Sequence, residues 1–121
     1  MKYLLDSNIL IALVSLDIDV LTYLDKQVGS EIYVSVLTLT EVLWHKNITC
    51  EEQKYIEELL RSFKIVEVDE KIARLAIKYR QEYKLKTIDG LIAATAESIK
   101  AKLLTRDKDI LKVGLKFAQG L

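Results

Sequence analysis

Short apolar segments that run straight into an acid or a hydroxyl, and then into a helical pattern, recur along this chain and limit the folds open to it. In "MKYLLDSNILIAL", Tyr3, Leu4 and Leu5 lead into Asp6, and after Ser7 and Asn8 the chain is apolar again from Ile9 to Leu13. Residues 2–5 read as a short buried strand, and residues 8–16 read as a helix with Ser7 as its cap. "DIDVLTYLDKQ" places Val20, Leu21 and Leu24 at helical spacing, while "EIYVSV" at 31–36 is β-branched and reads as a strand. "TLTEVLWHKN" opens with hydroxyl residues and predicts a helix from about residue 39. "CEEQKYIEELLRSF" keeps Tyr55, Ile56, Leu59, Leu60 and Phe63 on one helical face, and "KIVEV" at 64–68 is a third strand. A helix follows in "DEKIARLAIKYRQEY", capped by Asp69. Another opens at Thr87 in "TIDGLIAATAESI", and a strand follows in "AKLLT" at 101–105. "KDILKVG" is a short helical turn, and "KFA" is a candidate edge strand.

Strands alternating with helices imply βαβ units and a parallel sheet, with right-handed crossovers. The expected fold is α/β: a three-layer α/β/α sandwich with a four- or five-stranded parallel sheet. It forms a single domain over residues 1–121, without repeats, linker or proline. Half the residues are hydrophobic, enough for a sizeable core, and 18 basic residues balance 18 acidic ones. That balance argues against a surface built as one basic cradle, but leaves room for a local basic rim. No apolar run reaches the roughly 20 residues that span a bilayer, and Asp6 breaks the N-terminal stretch too early for a signal peptide. The single cysteine, Cys50, can form neither an internal disulfide nor a zinc site. A soluble, cytoplasmic protein is expected, with no membrane partner.

In such a sheet the acids fall together. Asp6 ends the first strand, Glu41 lies in the first turn or so of the helix after the second, and Asp107 lies just past strand 101–105. Asp89, at the second helical position, opens a helix that runs antiparallel to the strand it feeds, so it reaches the same carboxyl edge. Open α/β sheets bind ligands at that edge. Carboxylates gathered there repel and raise one another's pKa values. A divalent cation relieves this, and an all-oxygen donor set favours Mg²⁺ or Mn²⁺ over zinc. Mg²⁺ keeps ligand positions open for water and phosphate, which suits a phosphodiester substrate. Taken singly, each acid is also an ordinary helix-start or turn residue.

The segments "MKYLLDSNILIALV", "LTLTEVLW" and "TIDGLIAATAESIKAKLLTRDKDIL", in this order, resemble the PIN-domain nucleases, most of all the VapC-like toxins of toxin–antitoxin pairs. The resemblance implies a metal-dependent endoribonuclease in which Asp6, Glu41, Asp89 and Asp107 hold Mg²⁺ or Mn²⁺. Ser7 and Thr105 would orient carboxylates or water, and Asn8 would support the loop after the first strand. Metal-activated water would cut RNA to leave a 5′-phosphate and a 3′-hydroxyl. A homodimer and a cognate antitoxin partner are implied as well. Two departures stand out: Gly90 follows Asp89 where related sequences often carry Ala, which loosens the first helical turn, and Asp109 competes with Asp107, though Asp109 reads better as a cap for "ILKV".

His45 lies four residues after Glu41, on the same helical face, and is a candidate substrate contact. Trp44 is a candidate for stacking or packing. Lys84, Lys86, Arg106 and Lys108 neighbour Asp89 and Asp107 in sequence and are candidates for a phosphate-attracting rim. Three other functions compete: a PIN-like nuclease of RNA processing, a non-catalytic metal- or RNA-binding module, and a phosphatase of the haloacid-dehalogenase type. The last also uses an Asp after its first strand but needs a second Asp two residues on, where this chain has Asn8.

Overall fold

The computed structural model describes residues 1–43 and 48–121. Its elements are β1 (Lys2–Leu5), α1 (Ser7–Val14), α2 (Ile18–Asp25), β2 (Glu31–Ser35), α3 (Val36–Leu43) and α4 (Cys50–Arg61). Then follow β3 (Lys64–Val66), α5 (Glu70–Tyr83), α6 (Thr87–Ile99), β4 (Lys102–Thr105), α7 (Lys108–Leu111) and β5 (Ala118–Gly120). The five strands form one parallel sheet in the order β3-β2-β1-β4-β5. The three-layer α/β/α fold is therefore present, with five strands.

Both faces of the sheet are dry, which is why its central strands are apolar at nearly every position. Leu4 and Leu103 point into a core formed with α5 and α6, where Ile72, Ala76, Tyr79, Ile92 and Ala93 are buried. Tyr3, Leu5 and Leu104 point to the other face, against Ile9, Leu10, Val20, Val42 and Ile56 of α1–α4. Burying each such large aliphatic side chain contributes about 1.5–3 kcal/mol. Among the described residues, no single helix is long and apolar enough to cross a membrane.

The strand order places the switch in winding direction between β1 and β4. From β1 the chain steps outward to β2 and β3, whereas β4 and β5 lie on the other side. Loops leaving β1 and β4 diverge there and open the crevice in which doubly wound sheets bind ligands.

Several local expectations are corrected. The cap of α1 is Asp6, not Ser7: the Asp6 carboxylate accepts from the Ser7 N–H, and Ser7 is already helical. α3 begins at Val36, directly from the strand, so Glu41 lies beyond its first turn. Thr38, read as a helix-opening hydroxyl, is instead fully buried inside α3. β3 ends at Val66 rather than at residue 68. α6 begins at Thr87 behind Lys86, which makes Asp89 its third residue rather than its second. α7 is capped by Asp107, whose carboxylate accepts from the Asp109 N–H. Asp109 is therefore helical and pairs instead with Lys112 at 3.3 Å.

Gly90 is buried where α6 crosses α5, and a β-carbon added there would meet Arg80 Cγ at 3.4 Å and the Ala76 carbonyl at 3.5 Å. These are ordinary contact distances, and Gly90 is not among the residues with positive φ. Gly90→Ala is therefore expected to raise stability by about 0.5–1 kcal/mol through the lower backbone entropy of the unfolded chain, as measured by a denaturant melt.

Candidate active site

The site is built where β1 and β4 end. The two strands pair at Leu5 and Leu104, and the ladder continues one step further as the Asp6 N–H donates to the Leu104 carbonyl at 3.0 Å. This register sets Asp6 beside Thr105. Asp6 is only 6% exposed, and both its carboxylate oxygens are engaged. Oδ1 accepts from the Ser7 N–H at 2.8 Å and Oδ2 from the Thr105 hydroxyl at 2.7 Å. The same Thr105 oxygen accepts from the Asp107 N–H at 3.0 Å. One buried hydroxyl thus links the acid after β1 to the acid after β4. The Asn8 side-chain oxygen accepts from the Arg106 N–H at 3.1 Å and closes the other side of the same loop.

Glu41 approaches from α3. Its Oε2 is 3.5 Å from the Ser7 hydroxyl, at the long limit of a hydrogen bond, and its side chain is exposed. Asp89 enters from the first turn of α6, half-buried.

Electrostatics shows that these acids share one environment. Burial pushes the Asp89 carboxyl up to about 6, with the charges of Asp107 and Asp6 adding to the effect and Lys86 opposing it. Burial likewise raises Asp6, helped by Asp107 and countered by the Thr105 and Ser7 hydrogen bonds. Glu41, although its side chain reaches solvent, is raised by partial desolvation and then by the charge of Asp6, with the Ser7 hydroxyl opposing. The interactions chain Glu41 to Asp6 and Asp6 to both Asp107 and Asp89, so all four sequence-predicted acids meet at one edge. Among the described residues, no three carboxylates already close on a single point at ligand distance. Asp6 is fixed by its hydrogen bonds and Asp107 by its cap bond to the Asp109 N–H, while Glu41 and Asp89 are less buried than Asp6. As a donor set the group suits a hard divalent cation: it is all oxygen, its excess negative charge is partly shielded from water, and no thiolate or imidazole stands among its members.

Arg106 departs from the rim expected of it. Its guanidinium forms a two-pronged pair with Asp17, 3.0 Å on each arm, and its Nε donates to the Leu121 carbonyl at 2.9 Å. It ties the loop after β4 to the start of α2 rather than presenting a free charge. Asp17 has no place in the sequence-derived site. The only sequence signal for it is its position as the residue preceding α2, which its carboxylate also caps. Lys84 and Lys86 are exposed next to Asp89, and Lys108 is exposed at the start of α7. His45 and Trp44 lie outside the described residues. The burial of two hydroxyls, those of Ser35 and Thr38, also goes beyond the sequence reading. Ser35 Oγ accepts from the Leu37 N–H at 3.2 Å, and Thr38 Oγ1 has no partner among the described residues.

Fold and site together define a class: a parallel α/β domain whose switch point carries a group of mutually repelling carboxylates. The chain belongs to the PIN-domain family, whose model matches residues 3–116. This is a family of nucleases, and nuclease is the activity class of the chain. A toxin–antitoxin complex from Klebsiella pneumoniae contains a chain 30% identical to this one, with a TM-score of 0.84. The match covers 97% of this chain and 95% of that one. FitAcB from Neisseria gonorrhoeae is 25% identical with a TM-score of 0.73, covering 89% of this chain and 90% of the other. VapBC2 from Rickettsia felis, solved with a promoter DNA fragment, shares the fold at 19% identity and a TM-score of 0.84, covering 100% and 99% of the two chains. A search of curated proteins found no match.

Proposed function

We propose that this protein is a Mg²⁺- or Mn²⁺-dependent endoribonuclease and the toxin of a toxin–antitoxin pair. The observation that carries the nuclease part is the gathering of Asp6, Asp89, Asp107 and Glu41 around the β1/β4 switch point, where Thr105 links the loops of Asp6 and Asp107 and where burial and neighbouring charge raise the carboxyls of Asp6, Glu41 and Asp89. A divalent ion bound there would lower the pKa of a water and offset charge on the phosphate. Asp6 supplies the fixed carboxylate of that set, held by Thr105 and the Ser7 N–H. Asp107 is held by its own cap bond, and Ser7 lies between Asp6 and Glu41. The polar groups on Asp6 restrain its rotation, so its oxygens stay aimed at one place as substrate arrives. Asn8 and Arg106 hold the two loops that carry the acids.

A haloacid-dehalogenase mechanism is poorly supported, because the position that would need the acid–base carboxylate is Asn8, an amide engaged with the Arg106 backbone. The toxin part rests on the likeness to the Klebsiella pneumoniae toxin–antitoxin complex. It entails a cognate antitoxin, a cytoplasmic site of action and, as is common among such enzymes, a homodimer.

The test is incubation of the purified protein with total RNA, with added Mg²⁺ or Mn²⁺ and then with excess chelator. Cleavage that requires the metal and stops with chelation is expected. RNA left intact by folded, metal-supplied protein would overturn the nuclease reading, and cleavage persisting in chelator would overturn its metal dependence. Growth arrest on expression, relieved by co-expressing the neighbouring small open reading frame, would support the toxin assignment separately.

A further inference from the structure

The turn from α5 to α6 carries Tyr83, Lys84, Leu85 and Lys86. Leu85 is buried in the core beneath α5 and α6, and its N–H points to the Tyr79 carbonyl at 3.4 Å. That anchor leaves its two neighbours, Lys84 and Lys86, exposed on the surface. Together with Lys112 they line a crevice of about 160 Å³, walled also by Tyr83, Asp89 and Asp109. The lining includes Asp89 but not Asp6, Glu41 or Asp107, so an occupant lies beside the acid group rather than within it.

Only part of the charge of this crevice is cancelled in place. Asp109 pairs with Lys112 at 3.3 Å. Lys84 and Lys86 have no carboxylate at ion-pair distance among the described residues. α6 opens at Lys86 without a side-chain cap, so the first-turn N–H groups add positive potential on that side. Half-buried Tyr83 is stacked on Tyr79, with ring centroids 5.6 Å apart, which fixes its ring as a wall. Two free ammonium groups beside a rigid aromatic suit a single-stranded nucleic-acid backbone, whose phosphates take cations and whose sugars or bases lie on rings.

We propose that this crevice is a phosphate subsite, seating the backbone phosphate adjacent to the one that faces the acids. The proposal rests on the ribonuclease reading above and deepens it: the crevice would set the direction in which a strand crosses the site. Lys84 and Lys86 bind, and they take no part in bond breaking.

The variants are Lys84→Gly and Lys86→Gln, singly and together. Lys84 has φ +59°, a conformation that glycine adopts without strain, so Lys84→Gly removes the amine and keeps the turn. The probe is a short mixed-sequence single-stranded RNA labelled at its 5′ end, bound in chelator so that it stays intact. The double variant is expected to bind about tenfold more weakly. Its log-affinity against log-salt slope should fall by about 0.7, for the one phosphate no longer neutralised. In cleavage, KM should rise while kcat stays near wild type. The thermal shift given by Mn²⁺ alone at about pH 7.5 should be no smaller than in wild type, since the variants remove cations beside the acid group, and a Lys54→Gln control on α4 should behave as wild type throughout. Unchanged RNA affinity and salt slope in the double variant would overturn the subsite. So would a loss of cleavage explained by weaker Mn²⁺ binding, since Lys86 also acts on Asp89 through its field. If the wild-type protein binds no RNA, the ribonuclease reading fails and the subsite falls with it.

Discussion

Asp6→Asn is expected to yield a folded protein whose RNA cleavage is lower by on the order of a thousandfold or more, since a lost metal carboxylate forfeits several kcal/mol of transition-state stabilisation. Asp6 is the most buried of the acids, and both its oxygens are already held. No neighbour can take over its position. Stability should change little. Burial and the charge of Asp107 raise the Asp6 carboxyl, so its ionised form is disfavoured in the native state and a neutral amide removes that cost, against the loss of one of the two accepted hydrogen bonds, since an amide has a single acceptor oxygen. The variant should melt within a few degrees of wild type near neutral pH in metal-free buffer, roughly 1 kcal/mol either way. Thermal melts run beside cleavage assays check both parts. Full activity in a well-folded Asp6→Asn protein would count decisively against the assignment.

Stability should also depend on pH and metal in a linked way. The Asp89 carboxyl titrates at about 6 in the native state, against 3.8 ordinarily. Between those values the native state holds a proton that the unfolded chain has lost. The contribution of Asp89 to stability is therefore greatest at low pH, declines as pH rises through about 4 to 6, and levels off above that. Above pH 6 the ionised acid is a poorly solvated charge that a cation relieves; below it a proton competes with the metal. Millimolar Mg²⁺ or Mn²⁺ is expected to raise the melting temperature by roughly several degrees at about pH 7.5 and by much less at about pH 5. In Asp89→Asn the metal shift should largely vanish, and the metal-free protein should be more stable than wild type at neutral pH. Scanning melts at the two pH values, with and without metal, measure this. An equal metal shift at both would show that binding does not depend on a deprotonated Asp89.

The parallel sheet and the acid group were legible in the sequence for a shared reason. A strand buried on both faces must be apolar throughout, so the polar residue that ends it is conspicuous, and in an open parallel sheet the strand ends are where ligands bind. Asp6 and Asp107 are conspicuous in this way. The start of α3 was not, because Val36 continues the β-branched run of the strand and the hydroxyls of Thr38 and Thr40 mimic a cap. The chain instead turns straight from β2 into the helix under tertiary packing, with Thr38 buried. The choice of cap between Asp107 and Asp109 was equally open locally, since either acid can accept from an N–H two residues on. Arg106 was misread for a different reason. Its partner Asp17 is 89 residues away, and only the packed fold brings them together. Exposed lysines are common on any surface, so nothing in the sequence distinguished Lys84 and Lys86 from Lys108. The buried Leu85 between them does.

Anomalous scattering from crystals grown or soaked in millimolar Mn²⁺ tests the central claim most directly. One or two strong peaks within coordinating distance of the Asp6 carboxylate, shared with oxygens of Asp89 or Asp107, are expected. A clear peak elsewhere, or none at the end of β1 in crystals that diffract well, would contradict the account.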